Sequence, residues 1–315
     1  MPVAPALKAL LDQIDVLPAL DVLTTDPAVL RSREKELGAL VVPAAATRPA
    51  DIGPVTDTTV PGPAGPVPVR VYRPGDGRAP APTVVFFHGG GWLTGDLDTH
   101  DAPCRRLCHD LGAVVVAVDY RLAPEHPFPA GYEDCLAAAR WVADHIGDYG
   151  DRPDRLALVG DSAGGNLAAA VALAFRDEGR PLAAQLLFYP ATDLAGDHPS
   201  RSENAEGYLL TARSILALQY LYAGPDPAVR KDPRISPLLA EDFRGVAPAV
   251  IGTGQYDPLR DEAVAYAEAL ASAGVDVYSS TYPGLIHAFL NLAAIDPVSD
   301  AAVTDLVAEL RRRLD

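Results

Sequence analysis

Four short stretches of this chain carry residue types that together can attack a carbonyl carbon. The first is Gly160-Asp161-Ser162-Ala163-Gly164, which follows the apolar run Leu156-Ala157-Leu158-Val159 and precedes an Ala-rich stretch of helical composition. A buried strand that reverses sharply into a helix brings two backbones together, and glycine at 160 and 164 removes the side chains that would prevent it. Ser162 then stands on the turn with its hydroxyl presented. The N–H of Ala163, at the helix start, is free to point at a developing oxyanion. Asp161 suits stabilisation of the loop and helix start better than chemistry.

The second stretch is Phe86-Phe87-His88-Gly89-Gly90-Gly91-Trp92. Three glycines at a strand end leave several backbone N–H groups unobstructed, so Gly90 and Gly91 can aim donors at one point and complete an oxyanion site with Ala163. A phosphate-binding turn is the competing reading, but no Gly-Lys-Ser/Thr follows. His88 precedes the glycines and reads as a structural, hydrogen-bonded histidine.

A serine nucleophile needs a base, and the chain has seven histidines. His100, His109 and His145 fall in helical stretches beside charged residues and are expected to face solvent. His126 sits in a Pro-rigidified loop, and His198 in a region without strand alternation. His287, in Tyr282-Pro283-Gly284-Leu285-Ile286-His287, comes just after the last β-prone run, where a loop can carry it to Ser162. The base in turn needs a carboxylate. Asp257 follows the apolar run Pro248–Gly252, and its plain alternative is a helix N-cap ahead of Pro258. Asp193, after the run ending at Tyr189-Pro190, is the rival acid; Asp257 is preferred.

The elements that must position these groups follow from hydrophobic patterning. Leu7, Leu10, Leu11, Ile14 and Leu17 recur at helical spacing and stop at Pro18. A second helix starts near Asp26-Pro27, with Val29, Leu30, Leu37 and Leu40 on its apolar side. A Pro/Ala-rich connector runs from about 43 to 53. Strands at 55–60 and 67–72, joined through Pro61–Pro66, read as a hairpin with a loose loop. From Thr83 onward, apolar runs (83–87, 113–119, 156–160, 183–189, 248–252, 275–282) alternate with helical stretches (99–111, 132–145, 163–178, 260–273, 300–314). Such alternation specifies a mostly parallel sheet, of about eight strands counting the hairpin, with helices on both faces. Ligands of such sheets sit at the C-terminal strand ends. Residues 191–224 interrupt the alternation with polar loops and one helix, 211–222. The expected division is therefore a core of 46–190 and 225–315 under a cap made of 1–45 and 191–224.

Bulk properties narrow the function. With 315 residues, 49% of them hydrophobic, the chain can bury a large core. A formal charge of -16 disfavours nucleic acid or an anionic membrane as partner. Cys104, Cys108 and Cys135 form no disulfide framework and no metal pattern, so neither metal nor cofactor is expected. No signal-like or membrane-spanning segment is evident, and a cytoplasmic protein is expected. The β-prone, weakly charged run 275–282 falls at a sheet edge, where a homodimer could form.

Taken jointly, His-Gly-Gly-Gly-Trp at 88–92, Asp-Tyr-Arg-Leu-Ala-Pro-Glu at 119–125, Gly-Asp-Ser-Ala-Gly-Gly-Asn at 160–166 and Asp-Pro-Leu-Arg-Asp-Glu at 257–262 make this chain resemble the hormone-sensitive-lipase family of esterases (family IV), in its Gly-Asp-Ser-Ala-Gly branch. The resemblance implies an α/β-hydrolase fold with a helical cap, and the chain order Ser162, Asp257, His287 fits that fold. It implies Ser162 as nucleophile, His287 as base, Asp257 as acid, and N–H donors at Gly90, Gly91 and Ala163. It further implies hydrolysis of a small neutral ester of short to medium acyl chain, and members often dimerise through the last strand. An amidase or deacetylase using the same triad, or a non-catalytic binding protein on the same fold, are the alternatives.

Overall fold

The structure is a computed structural model that describes residues 1–18, 20–41, 52–75, 81–150 and 153–315. One sheet of eight strands runs through it: β1 (Ile52–Gly62), β2 (Gly65–Pro74), β3 (Thr83–Phe87), β4 (Val114–Val118), β5 (Leu156–Asp161), β6 (Ala184–Phe188), β7 (Ala249–Tyr256) and β8 (Val277–Ile286). The spatial order is β1-β2-β4-β3-β5-β6-β7-β8. β2 pairs antiparallel with both its neighbours, and every pair from β4 to β8 is parallel.

Parallel pairing demands crossovers, and the helices supply them. They are α1 (Pro5–Ile14), α2 (Pro27–Val41), α3 (Asp101–Leu111), α4 (Ala130–Asp144), α5 (Ala163–Asp177), α6 (Pro199–Glu203), α7 (Ala212–Ala223), α8 (Arg260–Ser272), α9 (Phe289–Leu292) and α10 (Pro297–Leu314). Alternation within each strand splits the core in two. Val85, Phe87, Val116, Val118 and Leu158 face the layer that includes α4, α5 and α8. Val84, Phe86, Val115, Ala117 and Val159 face the layer that includes α1, α3 and α10. β3 to β6 are buried along their whole length, which is why they are apolar on both faces.

Several expectations shift. The loop at 61–66 is not loose: Pro61 pairs with Pro66 and Gly62 with Gly65, leaving Pro63-Ala64 as a two-residue turn. The prolines fit because the hairpin there extends past β4, whose pairing covers only Val69–Tyr72. β8 extends to Ile286, directly before His287, and forms the sheet edge. Val29, expected on the apolar side of α2, is 49% exposed. The connector expected at 43–53 lies outside the described residues up to 51, and strand begins at Ile52. No helix among the described residues is long and apolar enough to cross a membrane.

The tightest point of the fold is the reversal from β5 into α5. A Cβ at Gly160 would lie 2.2 Å from Gly164 O, and one at Gly164 only 1.9 Å from Phe87 O. Both obstacles are backbone and cannot step aside. Gly164→Ala is therefore expected to destabilise the protein by roughly 3 kcal/mol or more, read as a lowered urea midpoint. An unchanged midpoint would mean that β3, β5 and α5 do not meet as closely as described.

Candidate active site

Ser162 sits at the β5–α5 junction with φ 55° and ψ −116°. A residue with a Cβ enters that region only when its surroundings impose it. They do so through both backbone groups. The Ser162 N–H donates to Phe188 O at 2.9 Å, and its carbonyl accepts from Asn166 N (3.0 Å) and Ala191 N (3.3 Å). The Asn166 amide then ties Ala191 O (2.7 Å) to Ile235 O (2.9 Å), fixing the loop after β6 beneath the turn.

His287 follows β8 without a break, and Ala288 at φ 67° turns the chain into α9. Its Nε2 lies 2.9 Å from Ser162 Oγ and its Nδ1 2.8 Å from Asp257 Oδ2. Asp257 is fully buried, and its other oxygen accepts the Leu259 N–H at 2.8 Å. The helix-start role and the histidine contact are thus served by different oxygens of one carboxylate. Asp193, the rival, is engaged elsewhere. Its Oδ2 is 3.0 Å from His198 Nε2, and its Oδ1 accepts from Ala195 N and Gly196 N. Burial works against its charge, but His198 and those N–H groups outweigh it and hold the carboxyl below its usual range.

The glycine loop after β3 lies against this pair of junctions. Gly90 (φ 108°) and Gly91 (φ 61°) take conformations that suit only glycine, and a Cβ at Gly90 would fall 2.3 Å from Thr94 O. The N–H groups of Gly90, Gly91 and Ala163 have no acceptor among the described residues. Asp161 does more than settle a helix start: its Oδ1 accepts the Gly89 N–H at 2.9 Å, joining the glycine loop to the serine turn. His88 is the structural histidine expected. Its Nδ1–H donates to Gly89 O at 2.7 Å, and its ring stacks on Tyr120 with centroids 4.3 Å apart. Burial first, and His100 second, push its pKa down to about 4.

His100 corrects the sequence reading. It is 3% exposed rather than solvent-facing, and its Nε2 lies 3.3 Å from Asp161 Oδ1. Placed immediately before α3, its ring turns back under the glycine loop instead of outward. Burial opposes its charge, yet Asp161 raises its pKa, and His100 in turn lowers that of Asp161. His109, by contrast, is half-exposed beside Asp110, and His126 is exposed.

The expected cap helix α2 also holds the glycine loop, which its sequence does not reveal. Its Arg31 donates to Leu93 O, Ala123 O and the Glu125 carboxylate, and its Glu34 accepts the Gly95 N–H at 2.7 Å. Burial raises the Glu34 pKa. Acidic and basic residues on a helix read as a solvated face; only their spacing of three, which puts Arg31 and Glu34 on one side, hinted at a common target. From the other side α7 packs down, with Tyr222 stacked on Trp92 at 4.5 Å. Between these helices and the strand ends lies a cavity of about 1360 Å³, reached by Gly90, Gly91, Ser162, Ala163 and His287. Its walls include Leu30, Leu194, Leu210, Ile215 and Leu218. Among the described residues no group of three His, Cys, Asp or Glu could hold a metal ion.

Comparison with known proteins agrees with this architecture. A family model described as alpha/beta hydrolase fold matches residues 84–291. The carboxylic ester hydrolase LipN of Mycobacterium tuberculosis is 49% identical over 269 residues, covering 82% of this chain and 70% of that protein. The ethyl acetate hydrolase of Pseudomonas putida is 40% identical over 253 residues, 79% of either chain. The solved structure of a hyperthermophilic esterase from Pyrobaculum calidifontis superposes with a TM-score of 0.93 at 40% identity, covering 99% of both chains. Fold, motifs and relatives together place the chain in the α/β-hydrolase family, among its hormone-sensitive-lipase-like carboxylesterases.

Proposed function

We propose that this carboxylic ester hydrolase works through Ser162 as nucleophile, His287 as general base and Asp257 as the acid that orients it. The observation that carries this reading is the unbroken contact chain from Ser162 Oγ to His287 Nε2, and from His287 Nδ1 to Asp257 Oδ2. An ester carbonyl seated over Ser162 is attacked by Oγ while Nε2 takes the hydroxyl proton. The carbonyl oxygen gains the negative charge and is held by the N–H groups of Gly90, Gly91 and Ala163. As the tetrahedral adduct collapses, the ester C–O bond breaks and His287 returns the proton to the departing alcohol. Water then enters, gives its proton to His287, attacks the acyl-enzyme and releases the carboxylic acid and Ser162. Asp257 holds the imidazole with its Nδ1 proton inward, so that Nε2 is free to accept.

The substrates are neutral esters with short to medium acyl chains. The mainly apolar cavity wall favours neutral groups, and the chain's charge of -16 disfavours anionic ones. We assign the described parts of residues 1–45 and 191–224 to the cap that shapes this cavity, over a core made of the described parts of 46–190 and 225–315. Ser162→Ala and His287→Ala should each lower kcat on a nitrophenyl ester by on the order of 10⁴–10⁶, and the double variant by little more, since these groups act as a unit. Asp257→Asn should cost roughly 10⁴-fold, with Asp193→Asn costing far less. Near-normal turnover in Ser162→Ala would end the proposal, and a reversal of the two aspartate costs would transfer the acid role to Asp193.

Two copies pair through β8. One side of this strand is taken by β7, and the Tyr278 and Tyr282 hydroxyls are held by Asp305 of α10, which leaves the backbone of the outer edge to recruit another strand. Sedimentation should give a dimer at micromolar concentration and a monomer for Val277→Pro. A wild-type monomer under those conditions would sink the pairing.

A further inference from the structure

Helix α7 lies over the cavity and presents Ile215, Leu218, Gln219 and Tyr222 on one stripe, the spacing of successive turns. Three of these do what a buried stripe does. Ile215 and Leu218 are apolar wall, and Tyr222 stacks on Trp92. Gln219 does not. It is 3% exposed, yet its amide has no hydrogen-bond partner among the described residues. Other buried carboxamides behave differently: Asn166 holds two backbone carbonyls, and Asn204 donates to Asp257 O. The Gln219 amide is not sealed in protein either, because the residue lines the same cavity as Ser162. The wall of that cavity also includes Leu194, Leu210 and Leu218.

An amide so placed is solvated by water while the cavity is open. A substrate that fills the cavity displaces that water. A purely hydrocarbon group then leaves the amide desolvated and unpaired, whereas a group with an oxygen at the right distance replaces the lost bond. The asymmetry favours the second kind of substrate. Asn291 also lines the cavity, together with Arg106, Asp300 and Arg311, but its unpartnered Oδ1 is itself fully buried and out of reach of solvent or ligand.

We infer that Gln219 is a specificity-determining residue that reads an oxygen function, such as a hydroxyl, carbonyl or ether, on the part of the ester remote from its reacting carbonyl. The inference rests on the esterase reading above and refines its substrate class: esters carrying one hydrogen-bonding group in an otherwise apolar chain are preferred over plain alkyl esters of the same length. The amide NH₂ is the donor to that oxygen, and a hydroxyl can in addition donate to the amide carbonyl.

The test uses two series of paired esters. In one, each methylene of a hexanoyl nitrophenyl ester from C3 outward is replaced in turn by an ether oxygen; in the other, the same replacement walks along the alcohol of hexyl acetate from its C3 outward. For each pair, kcat/KM of the oxygen-bearing ester is divided by that of its all-carbon partner, in the wild type and in Gln219→Met. Comparing the two proteins cancels the intrinsic reactivity of each ester. At one position of one series the wild-type ratio should exceed the Gln219→Met ratio by about three- to tenfold, with the ratios equal elsewhere. Plain alkyl esters should be turned over as well or better by Gln219→Met, whose thermal midpoint should not fall. Gln219→Leu repeats the measurement should the methionine variant fail to fold. Ratios that agree within twofold at every position of both series would overturn the inference while leaving the esterase reading standing. Failure of the wild type to hydrolyse any ester would instead bring down that reading and this one with it.

Discussion

The backbone of Ser162 is held at φ 55°, where an L-residue is strained by on the order of 1–3 kcal/mol. Everything around the residue exists in a form that makes this conformation the only available one. β5 arrives fully buried, so its path cannot shift. α5 departs so close to β3 that only glycine fits at 164, and Gly160 must be bare for the same reason. The Ser162 N–H is fixed by β6 and its carbonyl by α5 and the loop after β6. The strain is thereby spread over the central sheet. What it produces is a hydroxyl raised above the strand ends, with the unpartnered N–H of Ala163 beside it.

A second constraint ties the glycine loop to that turn. Three glycines alone would give a loop with many conformations, because glycine loses more freedom on ordering than any other residue. Here Asp161 fastens Gly89 from below, His100 balances the Asp161 charge, and Glu34 fastens Gly95 from α2. The network is ionic and buried, so removing one member leaves another uncompensated. It also means that the oxyanion loop is positioned in part by a helix from the N-terminal segment. Shaping the cavity and ordering the loop are therefore two consequences of the same docking of α2.

Much of this was legible in the residues themselves. The strand-glycine-serine-glycine-helix pattern located the turn because its physics is local: a close approach needs missing side chains, and those absences are written in the sequence. Parallel strands buried on both faces are apolar throughout, so β3, β5 and β6 stood out within a residue or two. Ser162, Asp257 and His287 could be aligned because each directly follows a strand, and parallel strands bring their ends together. The tight Pro63-Ala64 turn and the full length of β8 were less legible, since proline reads as loop wherever pairing partners are unknown.

What only the tertiary structure decided is which polar groups face one another. His100 and His109 stand in the same helical stretch beside similar charged neighbours, yet one is buried against Asp161 and the other half-exposed. Asp193 and Asp257 both follow strands; their choice of histidine depends on where residues 198 and 287 come to rest. Arg31 and Glu34 look like an ordinary solvated helix face, and Gln219 like an ordinary surface residue, until β3 and its loop or the cavity is laid against them. Hydrophobic burial is additive along the chain and so can be read from it. Pairing of buried polar groups depends on distances of a few ångströms between segments far apart in sequence, and those distances exist only once the chain has folded.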